Sequence, residues 1–229
     1  TETEVTSFFA EGQYTLPGGS TRVGAEVRWS ETTLTATNNA SGLQLEETFT
    51  AVTPRFTVEH DLTDYSLVYA SAARGAKAGG FNPTAVAPEF QVFDEEFNWT
   101  YELGAKNTFM DGRLVLNGAL FYTDWTDVQI NSPDPSSADP DAVSITLNLG
   151  NAEVLGVEFD AAFYATDNLS FDGTFSHADG TYSDGTIDAR FRRTPSPCDN
   201  VVCSTDGDVS GNDIEPVSYT HLRAHETLD

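Results

Sequence analysis

Apolar and polar residues alternate with a period of two along most of the chain. Between residues 21 and 30, Val23, Ala25, Val27 and Trp29 alternate with Arg22, Glu26 and Arg28. Phe56 and Val58 interleave with Arg55, Thr57 and Glu59, and Tyr101, Leu103, Ala105 and Phe109 oppose Glu102, Gly104, Lys106 and Thr108. Val157, Phe159, Ala161 and Phe163 oppose Glu158 and Asp160. This alternation predicts strands whose successive side chains point to opposite faces of a sheet. Period alone fits two sheets equally: a soluble antiparallel sheet with one wet face, or a membrane barrel with a polar lumen.

Turn signals divide the pattern into hairpins. Pro17-Gly-Gly-Ser20 separates strands predicted at 5–16 and 21–30, and Asp61-Leu-Thr-Asp64 separates 48–60 from 65–73. Met110-Asp-Gly112 separates 97–109 from 113–126, with Asp-Gly suited to a two-residue hairpin turn. Ala165-Thr-Asp-Asn168 separates 145–164 from 169–178. The remaining connections, 31–47, 74–96, 127–144 and 181–216, are long and rich in Gly, Pro, Ser, Asn and Asp. The predicted fold is all-β: an antiparallel up-and-down meander of about eight strands. Short turns alternating with long loops are the asymmetry of an outer-membrane barrel. Aromatic residues add to it. Tyr14, Tyr65, Phe109 and Phe163 sit beside the tight turns, while Trp29, Trp99, Tyr122 and Trp125 sit toward the loops, as in the two girdles of a membrane barrel.

Composition narrows the choice. No apolar run approaches the roughly 20 residues of a spanning helix, which leaves barrel strands untouched. The formal net charge of −25 argues against a nucleic-acid partner, whose binding needs basic patches. The acids cluster in the connections, as solvated loops or as loops that attract cations. Cys198 and Cys203 form a close pair in a polar stretch, which reads as a local disulfide in an oxidising compartment or as two free thiols. No metal set, cofactor motif or catalytic constellation emerges. Gly75-Ala-Lys-Ala-Gly-Gly80 lacks the Lys-Ser/Thr ending of a phosphate loop, and Asp206-Gly-Asp-Val-Ser-Gly211 has Val217 where a calcium loop needs Glu. His60 and His177 have no nucleophile partner in the pattern, so the chain is not expected to be an enzyme.

Several phrases carry a resemblance. Tyr65-Ser-Leu-Val-Tyr-Ala-Ser-Ala-Ala-Arg-Gly-Ala-Lys-Ala-Gly-Gly-Phe-Asn82 resembles a segment of TonB-dependent outer-membrane receptors in which a barrel strand rises into an extracellular loop. Thr53-Pro-Arg-Phe56, Trp99-Thr-Tyr-Glu-Leu-Gly-Ala-Lys-Asn107, Gly112-Arg-Leu-Val-Leu-Asn-Gly-Ala-Leu-Phe-Tyr122, Gly150-Asn-Ala-Glu-Val-Leu-Gly-Val-Glu158 and Gly211-Asn-Asp-Ile-Glu-Pro216 are similar to further phrases of that family, in family order. The resemblance implies a partial transmembrane β-barrel from the C-terminal half of such a receptor, an open curved sheet without its plug domain. It implies uptake of a scarce nutrient such as a ferric siderophore, with outer-membrane lipid, the receptor's own plug and, through it, TonB as partners. A passive porin-like barrel or a secreted all-β binding module are the alternatives.

On this reading Val23, Val27, Phe56, Val58, Leu67, Leu103, Leu114, Leu116, Leu120, Phe159 and Phe171 face lipid on the convex side. Arg22, Arg28, Arg55, Glu59, Glu102, Lys106, Glu158 and Asp160 face the concave lumen and plug. Arg74 and Lys77, in a basic glycine-rich loop, are the candidate ligand-binding residues. Val217-Ser-Tyr-Thr-His-Leu-Arg-Ala-His-Glu-Thr227 reads unlike the rest and resembles a translated sequencing adapter. Residues 1–216 are therefore expected to be barrel, and 217–229 a non-native tail with no selected partner in the fold, which leaves the strand at 169–178 with an open edge.

Overall fold

The computed structural model describes residues 1–37, 42, 44–83, 86–134, 144–187 and 207–226, the segment 215–226 by backbone alone. The strands in chain order are β1 (Glu2–Thr15), β2 (Thr21–Thr37), β3 (Gln44–Thr63), β4 (Ser66–Lys77), β5 (Gly80–Phe81), β6 (Val92–Phe93) and β7 (Glu96–Phe109). They continue with β8 (Leu114–Thr126), β9 (Gln129–Pro133), β10 (Ser144–Asn148), β11 (Ala152–Thr166), β12 (Leu169–Tyr182) and β13 (Asp213–Glu226). One 3-10 turn, Pro88–Phe90, is the only helical element among the described residues.

Nine strands form one sheet in the order β1-β2-β3-β4-β7-β8-β11-β12-β13, antiparallel at every step and not closed on itself. The short strands pair locally as β5–β6 and β9–β10. Strand length explains the architecture. The wall strands run from 12 residues in β4 to 20 in β3, whereas about 9–11 tilted residues cross a bilayer. The wall therefore extends well past an apolar slab at its loop end.

The hairpin turns fall where the sequence places them, with local refinements. Arg113 N–H donates to Met110 O at 3.2 Å, around central residues Asp111 and Gly112 with φ of 55° and 89°. Positive φ at both central positions is the type I′ signature, whose twist matches the flanking strands. Bulges at Asp61/Thr63 and Tyr164/Thr166 tighten two other turns.

Three expectations are corrected. The strand predicted at 145–164 is two strands, β10 and β11, because the chain bends at Gly150 (φ 127°), where a Cβ would strike Thr186. The basic segment that begins at Arg74 is not loop at its start: Arg74 to Lys77 complete β4, paired with β7. The backbone of 217–226 does have a partner, since it pairs with β12 from Val217 opposite Ala178 to Glu226 opposite Leu169. An open sheet edge offers a row of N–H and C=O groups to any extended chain, and that ladder does not depend on side-chain identity.

Candidate functional site

Register decides which side chains share a face. Val23 lies opposite Val58, Ala25 opposite Phe56, Leu103 opposite Leu120, Leu120 opposite Val157 and Phe159 opposite Phe175. Arg22 lies opposite Glu59, Glu26 opposite Arg55, Lys106 opposite Asn117, and Asn117 opposite Asp160. Carried across the whole sheet, the pairing puts Arg22, Arg28, Arg55, Glu59, Glu102, Lys106, Glu158 and Asp160 on one face. It puts Val23, Val27, Phe56, Val58, Leu103, Leu114, Leu116, Leu120, Phe159 and Phe171 on the other.

Leu67 is the exception. It pairs with Asp61 and Lys106, and so belongs to the charged face. The alternation of Tyr65, Leu67 and Tyr69 against Ser66, Val68 and Ala70 is sound, but it does not say which set faces outward. In β4 the apolar face is built from the smaller Val68, Ala70 and Ala72.

The apolar face is bare. Phe56 is 52% exposed, Leu103 61%, Leu120 57% and Leu155 63%, so about half or more of each side chain is left uncovered. An aromatic row crosses it toward the loop end: Trp99 stacks on Tyr101 at 6.2 Å and Tyr101 on Tyr122 at 6.4 Å, while Phe8 stacks on Trp29 at 5.9 Å. Level with that row or beyond it on the same face stand Arg74, Asp124, Glu153 and Asp179. Between the row and the tight turns, the described residues of β2 to β12 place no Asp, Glu, Lys or Arg on this face. Trp125 does not join the row. It lies on the charged side, opposite Asn98 and Ala152, and packs against the buried cluster Val128, Ile130 and Ala152.

The charged face is bonded across strands. Arg22 spans two carboxylates, Nε to Glu59 Oε2 at 3.0 Å and Nη2 to Asp61 Oδ1 at 2.9 Å. Asn117 Nδ2 donates to Asp160 Oδ2 at 2.9 Å, and Lys106 Nζ lies 5.4 Å from the Tyr69 ring centroid. A hollow of about 520 Å³ is lined here by Tyr69, Lys106, Asn117, Glu158, Asp160 and Ser176 among others. Two glycines shape this face. A Cβ on Gly104 would come within 2.4 Å of the Tyr69 ring, and one on Gly156 within 2.1 Å of Phe121. Each lies opposite the aromatic that covers it, so the ring occupies the space that a side chain would need.

The two basic candidates for ligand contact part company. Arg74 is on the apolar face, with its guanidinium 4.1 Å from the Phe97 ring centroid and Nη1 donating to Val52 O at 3.1 Å. Lys77 is on the charged face, 3.5 Å from the buried Glu96 carboxylate. Cys198 and Cys203 lie outside the described residues.

At the loop end the structure brings together residues that sequence reasoning missed. Asn82 Nδ2 donates to Phe90 O at 2.8 Å and to Thr146 O at 2.7 Å, and its Oδ1 accepts from Thr146 N–H at 2.8 Å. Asn148 Nδ2 donates to Asp94 O at 3.0 Å and Asp127 O at 2.9 Å, and its Oδ1 accepts from Asp94 N–H at 2.8 Å. Gln129 Nε2 donates to Ala78 O at 2.9 Å and Asp94 O at 3.0 Å, while its N–H donates to Glu96 Oε2 at 2.7 Å. Phe49, Val86, Val128, Ile130, Ile145 and Val209 are buried around them. Gly79 and Gly80 admit Phe49 and Phe93, since a Cβ at either would meet those groups within 2.6 Å. The signal was present in the phrase that ends in Asn82, which carried a family likeness but no visible physical role; Asn148 lies outside the family-like phrases.

A two-faced open meander with a packed rim at one end is what a segment of receptor barrel looks like. A family model for the TonB dependent receptor-like β-barrel matches residues 1–219, and the chain belongs to that family. Among solved structures it is similar to the siderophore receptor PiuA from Acinetobacter baumannii, at 20% identity and a TM-score of 0.67, over 97% of this chain and 31% of that one. It is also similar to the ferric yersiniabactin uptake receptor FyuA from Yersinia pestis, at 23% identity and a TM-score of 0.62, over 81% of this chain and 28% of that one. The copper transporter OprC matches at 13% identity and a TM-score of 0.59, over 99% of this chain and 40% of that one. The chain thus spans about a third of the length of the solved structures it matches. At these identities the likeness speaks to fold.

Proposed function

We propose that this chain is part of the wall of an outer-membrane receptor of a Gram-negative bacterium that takes up a scarce nutrient, with a ferric siderophore as the leading class. The observation that carries the reading is the division of charge between the two faces on the tight-turn side of the aromatic row. One face, apolar and unpartnered, suits lipid. The other, bonded and of mixed sign, suits a wet lumen and a plug domain docked against it. A lipid-facing Arg or Lys at the bilayer midplane costs about 2–4 kcal/mol, which explains why the charged set does not stray.

In this reading Arg22, Arg28, Arg55, Glu59, Glu102, Lys106, Glu158 and Asp160 line the lumen and meet the plug, through which TonB acts. Lys77, on the lumen side near the loop end, is the better placed of the two basic candidates for a ligand. Arg74, against Phe97 on the lipid side, is better placed to hold its strand at the membrane edge. The names of the similar structures, a siderophore receptor, a ferric yersiniabactin uptake receptor and a copper transporter, favour a metal-bearing cargo.

The test is growth of an iron-starved strain that carries the full-length receptor as its only candidate importer. Rescue by a ferric siderophore that disappears without TonB supports the reading. Rescue that persists without TonB would point to a passive porin-like barrel. A product that is soluble without detergent would point to a secreted binding module.

Residues 217–229 we propose to be adapter-derived, resting on their likeness to a translated adapter. The pairing of their backbone with β12 is then the capture of an extended chain by an open edge. Sequencing the locus by an adapter-free route decides this: a genome that encodes residues 217–227 refutes it.

A further inference from the structure

The connection between β4 and β7 and the connection between β8 and β11 are separate loops in sequence. Among the described residues, side-chain amides of each connection bond to the backbone of the other. Of the amide bonds made by Asn82, one stays within its own connection, to Phe90 O, and two cross to Thr146, 64 positions away. Asn148 returns the arrangement: it accepts from Asp94 N–H and donates to Asp94 O, 54 positions back. Gln129 makes a third crossing, to Ala78 O and Asp94 O, and the buried Glu96 takes its backbone N–H. Asn148 and Gln129 bond at the exposed Asp94, whereas Asn82 and Glu96 are 7% and 5% exposed, so their bonds form away from water. There, a lost partner leaves an unsatisfied polar group instead of a solvated one.

We propose that residues 78–83 and 86–95 of one connection and 127–134 and 144–151 of the other are a single structural body, clamped by Asn82, Gln129 and Asn148, that opens or stays closed as one unit. The inference concerns the rim itself and holds whatever ligand the rim meets. Its physical basis is reciprocity. Each asparagine satisfies backbone groups of the other connection, so loosening either one removes bonds from both. Each connection also buries an apolar residue, Ile145 at 1% exposure in one and Val86 at 6% in the other. A third connection leans on the same body, since Thr186 Oγ1 donates to Asn151 O at 2.9 Å and Ile187 N–H donates to Leu149 O at 3.1 Å.

Hydrogen exchange on the full-length receptor in detergent or bilayer tests the proposal, without ligand. Asn82→Ala should speed exchange in β9 and β10, at amides that Asn82 does not touch such as Ile130 and Leu147, by roughly tenfold or more. Asn148→Ala should do the same at Phe81 and Val92 in β5 and β6. Exchange in the middle of β7 and β8 should be unchanged, which separates rim opening from failure of the barrel to fold. If each substitution speeds exchange only within its own connection, the two move independently and the proposal is overturned. If Asn82→Ala prevents folding, Asn148→Ala and Gln129→Ala still decide, because each is expected to loosen Gly80–Phe93 from the far side.

Discussion

The wall and the rim are built on opposite principles from one chain. In the wall, large apolar residues such as Phe56, Leu103 and Leu155 are about half exposed or more, and order comes from the strand ladder and from cross-strand polar bonds on one face. In the rim, Ile145 and Val209 are 1% exposed, and side-chain amides, that of Asn82 buried among them, hold segments of little regular structure. Water explains the difference. A wall that lies in lipid has no hydrophobic drive to hide its apolar side from solvent, so that side needs no protein partner. A rim that stands in water has to make a small core of its own and satisfy every backbone group it buries. Where a strand leaves the bilayer can thus be read from where its apolar residues become buried.

The largest expected effect comes from attacking the rim's core. Ile145→Ala should cost about 2–5 kcal/mol of local stability, read as faster exchange in β9 and β10 with little change in β7. If β7 and β8 loosen equally, the wall and rim are one cooperative unit and the comparison fails. Next comes charge on the apolar face. Leu103→Arg in the bilayer-embedded receptor should lose about 2–4 kcal/mol in equilibrium unfolding, whereas Lys106→Leu, three positions on and on the other face, should lose far less. Equal losses would mean that the faces are assigned the wrong way round.

A smaller effect is expected at Gly156. Its Ala variant has to displace the Phe121 ring, at a cost of about 1–3 kcal/mol by unfolding, and Phe121→Ala in the same background should recover part of it. The smallest effect belongs to Arg22. Arg22→Gln removes two ion pairs at the tight-turn end, to Glu59 and Asp61, whose side chains keep 25–35% of their surface exposed, so that salt screens them. Its loss should be slight and should shrink as ionic strength rises. A large, salt-independent loss would show that this end is sequestered as the rim is.

Much of this was legible in the sequence, and the residues show why. Strand existence follows from the period of two, and Pro17–Ser20 and Asp111-Gly112 mark turns through their own backbone preferences. The charged set Arg22 to Asp160 shares one face because a period of two keeps it there through every antiparallel pairing. These are local properties, and they survive any tertiary context that keeps the strands paired. Leu67 went astray because periodicity gives two faces without naming the outer one, and in β4 the larger residues point to the charged side. Trp125 was read as girdle from its position along the strand, but its parity sends it into the rim's core.

Tertiary structure alone decided the rest. Asn82, Gln129 and Asn148 look like ordinary loop residues until the meander brings their two connections side by side, because a side-chain amide is defined by the carbonyls that reach it. Gly150 breaks the predicted 145–164 strand because Thr186, from the next connection, takes the space above it. The backbone of 217–226 becomes a strand because β12 leaves an edge open, and an edge recruits by hydrogen bonds that every residue but proline can supply. Sequence fixes what each segment can form on its own; contacts between distant segments fix which of those options is taken.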